Sequence, residues 1–273
     1  MMNRSDYDCP DLAFPGAPAP ASAQNINLHL VSPASSAPKR AAYYDRPYQA
    51  DPNWALQFPG QIYLQERSNG KFVALTFDDA PDSLFGPLLL DILSAYNVPA
   101  TFFCLGTCAQ QNPGLVQRIV GEGHIVANHS YDHADLTALT PEQVREEVLL
   151  AETVIRQITG LRTALFRPPF GALNNEVVQI VLSLGYKIIL WNVDSLDWTG
   201  ITGPAVAARV IPNTVPGSII LMHNTCGGSV QAGTAVIQSL PFIIEILRAE
   251  GYSFVTIPAL LEIPAYQGVV TSH

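Results

Sequence analysis

From Lys71 onward, short apolar runs alternate with amphipathic stretches. Residues 72–77, 100–105, 124–127, 163–166, 187–193, 218–222 and 253–257 have the length and apolar content of buried strands. Between them, 83–96, 113–122, 141–159, 174–184, 203–211 and 235–250 read as helices. The stretch after Thr140 is the clearest. Thr140 suits an N-cap, Pro141 the first turn, and Gln143 completes a capping box. Val144, Val148, Ala151, Ile155 and Ile158 recur at helical spacing, and Gly160 follows the end. Seven apolar strands alternating with helices predict an α/β fold with a parallel sheet covered by helices. An open sheet and a barrel both satisfy that pattern. The polar positions favour the barrel: Asp78 and Asp79, His129, Arg167, Asp194 and Asp197, and His223 all fall at or just past the C-terminal ends of different strands. Convergence from many strands onto one face is what a barrel provides. The expectation is a deformed (β/α) barrel with about seven parallel strands.

The pattern is different before residue 61. Residues 10–60 are rich in Pro, Ala and Ser and end in Asp51-Pro52-Asn53-Trp54, so 1–60 read as an irregular arm or linker and 61–273 as one domain. Asn69-Gly70 lies between the runs 61–66 and 72–76 and predicts a β-hairpin joining them.

Composition narrows the function classes. The chain has 273 residues, 48% hydrophobic and only 14% charged, which suits a packed core rather than disorder. Its net charge of -9 argues against nucleic acid, which needs clustered Lys and Arg, and mildly against strongly anionic polymers. No run approaches the roughly 18 apolar residues of a membrane span. No Lys/Arg-flanked apolar segment opens the chain, which suits either a cytoplasmic protein or one whose leader was removed. Cys9, Cys104, Cys108 and Cys226 allow three pairings, and buried free thiols are the simplest reading.

The chemistry centres on two adjacent carboxylates, Asp78 and Asp79, followed about fifty residues later by Asn128-His129-Ser130-Tyr131-Asp132-His133. Neighbouring carboxylates raise each other's pKa unless a cation is near. A carboxylate with two histidines is a common ligand set for a divalent metal with an open position. Asp79, His129 and His133 are therefore expected to hold one such ion. Asp78 is left as a general base, or as the cap of the following helix. Arg167, in Arg167-Pro168-Pro169-Phe170, is placed to pair with a carboxylate, and the Phe170 N–H to meet an oxyanion. His223 suits a general acid if Asp197 or Asp194 holds its ring; alone, it reads equally well as a core histidine. Trp198 and Leu221 offer apolar surface for a sugar face or small acyl group.

These motifs resemble those of the polysaccharide deacetylases, the NodB-homology group of carbohydrate esterase family four. Five stretches appear in that family's order: Thr76-Phe77-Asp78-Asp79, His129 to His133, Arg167 to Phe170, Asp194-Ser195-Leu196-Asp197-Trp198, and Leu221-Met222-His223. The match covers roughly 71–261. Ala80 stands where the family often has Gly, and Phe170 where Tyr is common. The resemblance implies a hydrolase removing N-acetyl groups from N-acetylglucosamine-containing polysaccharide, chitin oligomers or peptidoglycan. It implies a metal triad of Asp79, His129 and His133, usually with zinc, although the ligand types also admit cobalt. Asp78 is then the base with Arg167 its partner, and His223 the acid oriented by Asp197. Phe170, Trp198, Leu221 and Asp194 meet substrate. A monomer outside the cell or at its wall is expected. The alternatives are an O-acetyl xylan esterase and a catalytically silent carbohydrate-binding domain.

Overall fold

The computed structural model describes residues 51–66 and 70–268. Its strands are β1 (Ile62–Tyr63), β2 (Phe72–Ala80), β3 (Thr101–Cys104), β4 (Ile125–Asn128), β5 (Leu165–Phe166), β6 (Lys187–Ile189), β7 (Val193–Asp194), β8 (Ile219–His223) and β9 (Ser253–Phe254). The helices are α1 (Asn53–Gln57), α2 (Gly86–Ala95), α3 (Gly106–Gln111), α4 (Pro113–Gly121), α5 (Pro141–Thr159), α6 (Asn175–Ser183), α7 (Gly203–Asn213), α8 (Val230–Ala249) and α9 (Ile257–Leu261). The strands follow the order β1-β6-β5-β4-β3-β2-β8-β7, with β9 beside the start of β2, and the ladders between them are parallel. This is the expected deformed (β/α) barrel.

Two expectations need correction. Residues 187–193 are two strands rather than one: β6 pairs with β5 and β1, while β7 pairs with β8 at the far end of the path. The Ile189 and Leu190 carbonyls turn to the Arg167 guanidinium instead of a strand neighbour, at 3.0 and 3.1 Å, and the ladder breaks there. The chain thus passes from one end of the sheet to the other within a few residues, which curls the sheet. The expected hairpin is also absent. β1 pairs with β6, and Gln65 bridges Ser218 in antiparallel sense. Both edges of β2 are already taken by parallel ladders to β3 and β8, whereas β6 offers an open edge where Ile62 is buried. Asn69 of the turn pair lies outside the described residues, as does most of the expected arm; in 51–60, α1 packs Trp54 and Phe58 against the core.

Strand periodicity sorts the core. Val73, Leu75 and Phe77 of β2 join Phe102, Val126, Ile220 and Met222 under the helices. Ala74 of β2 faces the other way, with Phe103, Ala127, Ile219 and Leu221. With a two-residue repeat, Thr76 and Asp78 fall on that same inner side. Helix α8 is long and apolar enough to cross a membrane by length and composition, with a mean hydropathy of 1.5, a combination that a buried core helix shares. It packs Val236, Leu240, Ile243, Ile244 and Leu247 into the core.

Helix α5 forms as the sequence predicts. Both arms of the Thr140–Gln143 capping box are present, and Gly160 closes the helix at φ 73°. Its apolar stripe is buried, with Ile155 fully so. Replacing Ile155 with Ala is expected to destabilise the protein by roughly 2–5 kcal/mol, the usual range for such a core truncation. Urea unfolding checks this, with the exposed Glu146→Ala as a near-neutral reference.

Candidate active site

Asp78 and Asp79 reach the same mouth because β2 is irregular at its end. Register with β3 shifts between Phe77 and Ala80, and Asp79 has φ 60°. In a regular strand, neighbours point to opposite faces. The bulge and left-handed residue re-aim Asp79 instead. Asp78 lies in register with His223 of β8, so the two stand on adjacent strands. No side chain caps α2; the turn leading into it is held by Asp82, whose Oδ1 accepts from the Leu84 and Phe85 amides, and Asp78 has no capping duty.

Arg167 lies at the end of β5 and is completely buried. One guanidinium nitrogen donates to Asp78 Oδ1 at 2.7 Å and to Thr76 Oγ1 at 2.8 Å; the others donate to the Ile189 and Leu190 carbonyls. Its charge also sits over the Phe103 ring, 4.1 Å from the centroid. Burial lowers the Arg167 pKa, with Asp78 opposing. Every polar end of this buried cation is matched, so the Asp78 carboxylate is held in one direction.

His129, His133 and Asp79 converge. Their ligand atoms lie within 4.8 Å of one another. His129 Nδ1 faces the Arg167 carbonyl at 2.7 Å, so that nitrogen carries the proton and Nε2 faces the carboxylates, 3.5 Å from Asp79 Oδ1. His133 Nε2 is 3.3 Å from the same oxygen. Asp79 Oδ1 is buried with no hydrogen-bond partner, an expensive state unless a cation completes it. Burial lowers the His133 pKa to about 4, so its ring is neutral and able to ligate at neutral pH. Burial would raise the Asp79 pKa, but His133 and His129 beside it pull it far down. The donor set and the orphaned oxygen fit one divalent metal ion.

On the other side, Asp197 is fully buried and grips His223 twice. Its Oδ2 accepts from the His223 backbone N–H at 2.8 Å, and its Oδ1 meets ring Nδ1 at 2.7 Å. Burial alone would lower the His223 pKa; Asp197, with Asp79 and Asp78, raises it to about 10. Of the two acids considered for this task, Asp197 performs it. Asp194 Oδ1 instead accepts from the Leu196 amide, shaping the turn, and burial raises its pKa.

Phe170 sits in a left-handed turn at φ 60°, its ring edge-on to His133 with centroids 4.4 Å apart. Leu221 is buried on the inner side, and Trp198 is partly exposed beside Asp197. A small cleft opens at His223 between Asp197, Asn224 and the apolar Phe85, Leu89 and Val236; neither Trp198 nor Leu221 lines it. Sequence reasoning missed Asn224 and Thr76. Asn224 Oδ1 accepts from the Asp82 amide and its N–H donates to the Asp78 carbonyl, tying the loop after β8 to the end of β2. Thr76 carried one usable signal, its position two residues before Asp78 on the same face. Cys104 and Cys108 are buried thiols outside any disulfide, and Cys9 lies outside the described residues.

Comparison with known proteins adds an independent line. The polysaccharide deacetylase family pattern matches residues 65–189. A peptidoglycan-N-acetylglucosamine deacetylase of Bacillus cereus is 37% identical over 190 residues, covering 70% of this chain and 68% of its own. One from Listeria monocytogenes is 34% identical over 94% of this chain, which spans only 51% of that longer protein. A chitooligosaccharide deacetylase of Sinorhizobium fredii is 35% identical over 68% of this chain and 90% of its own. The crystal structure of a peptidoglycan N-acetylglucosamine deacetylase superposes with a TM-score of 0.75 at 32% identity, covering 80% of this chain and 99% of the other.

Proposed function

The chain belongs to the polysaccharide deacetylase family, and from that premise we propose that it hydrolyses the N-acetyl groups of an N-acetylglucosamine polymer, with peptidoglycan glycan as the first candidate and chitin oligomers as the second. The observation that carries the reading is the flanking of one ligand cluster by two differently held groups. Asp78 is pinned by Arg167 on one side, and His223 is gripped by Asp197 on the other.

A bound divalent ion, zinc in this proposal, supplies Lewis acidity toward the acyl carbonyl and lowers the pKa of water. Asp79, His129 and His133 hold it. Asp78 takes the proton of the attacking water, its direction set by Arg167. The Phe170 N–H donates to the developing oxyanion. His223 gives its Nε2 proton to the departing nitrogen, since Nδ1 is committed to Asp197. An amine leaves poorly without that proton, which is why an amidase needs an acid opposite its base. Trp198, Leu221 and Asp194 are the proposed contacts to the acetyl group and sugar. Its proposed place of work is outside the cell or at its wall, a reading supported by the resemblance to relatives named as peptidoglycan deacetylases.

Acetate release from peptidoglycan, chitin oligomers and acetylxylan tests this. Release from at least one N-acetylated glycan is expected, lost with chelator and restored by zinc. Release from acetylxylan alone would overturn the amide reading.

A further inference from the structure

The loop that delivers His133 is bent out of ordinary conformation. Ser130 and His133 both have left-handed φ, 69° and 68°, although neither is glycine. Such backbone persists only where its surroundings hold it. Here the surroundings are specific. The amides of Tyr131 and Asp132 both donate to one oxygen, Glu147 Oε2, at 3.0 and 3.2 Å. The Ser130 and Tyr131 carbonyls accept from Gly106 and Thr107 at the start of α3, at 3.0 and 2.9 Å. The Ser130 amide donates to Asn128 Oδ1 at 2.9 Å, and Asn128 Nδ2 donates to the Val148 carbonyl of α5 at 2.9 Å. The loop is thus clamped between α3 and α5. Of these clamps, Glu147 is the side chain that takes two successive amides between the strained residues.

We propose that Glu147 is a positioning residue for metal capture: its carboxylate, carried by the rigid helix α5, fixes residues 130–132 in the shape that aims His133 at Asp79. The proposal rests on Asp79, His129 and His133 being the metal triad. The requirement is reach and an acceptor oxygen, not charge. A glutamine keeps both. An aspartate keeps the charge but is one methylene too short to meet two amides from the same helix position.

Zinc affinity of the full chain, read by competition with a chromophoric chelator, separates these cases. Glu147→Ala and Glu147→Asp are expected to weaken zinc binding about 10–100-fold, the usual effect of losing a group that orients a ligand. Glu147→Gln is expected to stay near wild type, as is Glu146→Ala on the exposed side of α5. Should Glu147→Ala fail to fold, the aspartate and glutamine variants still decide. Wild-type affinity in Glu147→Asp, or a loss in Glu147→Gln equal to that in Glu147→Asp, would overturn the positioning role alone. A wild-type chain that binds no zinc would instead overturn the triad beneath it.

Discussion

Asp78→Asn is expected to abolish acetate release while leaving metal affinity intact. The two adjacent carboxylates differ in duty. Asp79 Oδ1 lies 3.3 Å from His133 Nε2 and 3.5 Å from His129 Nε2, whereas Asp78 Oδ1 is taken by Arg167 at 2.7 Å. Asparagine keeps the shape of the side chain and an oxygen for the Arg167 N–H, so the buried guanidinium is not left without an acceptor. It cannot accept the proton of an attacking water. Loss of a general base costs roughly 10²–10⁴-fold in kcat. Parallel measurement of kcat and bound zinc checks the division: kcat falls and zinc stays stoichiometric. Activity retained at wild-type level would sink the assignment of the base. Loss of zinc would show instead that both carboxylates ligate.

Asp197→Asn has the second largest expected effect, and it is read in the pH profile. His223 acts as an acid only while protonated. Asp197 is the main reason that burial does not win and that the His223 pKa stands near 10 rather than at the ordinary 6.5. With the charge removed, burial dominates, and the pKa falls to 6.5 or below. The alkaline limb of kcat against pH therefore moves to lower pH, and activity at pH 8 drops roughly 30-fold or more. The linkage to stability has the same sign. A folded pKa raised above the unfolded one contributes stability that is complete below pH 6.5 and is lost as pH rises toward 10. The variant should be less stable than wild type at pH 6, with the difference shrinking by pH 10. An unmoved alkaline limb would mean that another group donates the proton.

Much of the fold was legible because burial in a parallel sheet leaves a strong trace. Residues 72–77 and 100–105 are apolar on both faces, as β2 and β3 turned out to be. Helix α5 announced its start, stripe and stop through Thr140, Val144 to Ile158 and Gly160, each a local interaction. What local pattern could not show was competition among strands for edges. Asn69-Gly70 is a strong turn signal, but β2 had no edge left for a hairpin partner, so β1 went to β6. Residues 187–193 form one apolar run in sequence, yet the buried guanidinium of Arg167 claims two carbonyls in the middle and splits it.

The site divides along the same line. The sequence by itself determined which residue types gather, since Asp78, Asp79, His129, Arg167, Asp197 and His223 each fall at or just past the C-terminal end of a strand, and parallel strands deliver those ends to one face. Only the tertiary structure decided their tasks. A bulge at the end of β2 turned Asp79 to the mouth already faced by Asp78. Strand register set His223 beside Asp78. Asp197 rather than Asp194 took the imidazole. Glu147, sixteen residues beyond the first amide it holds, entered the site from a helix. These assignments rest on distances of about 3 Å between residues mostly far apart in the chain, the range at which hydrogen bonds act. Residue type and spacing place such groups on the same face; packing alone brings them within reach.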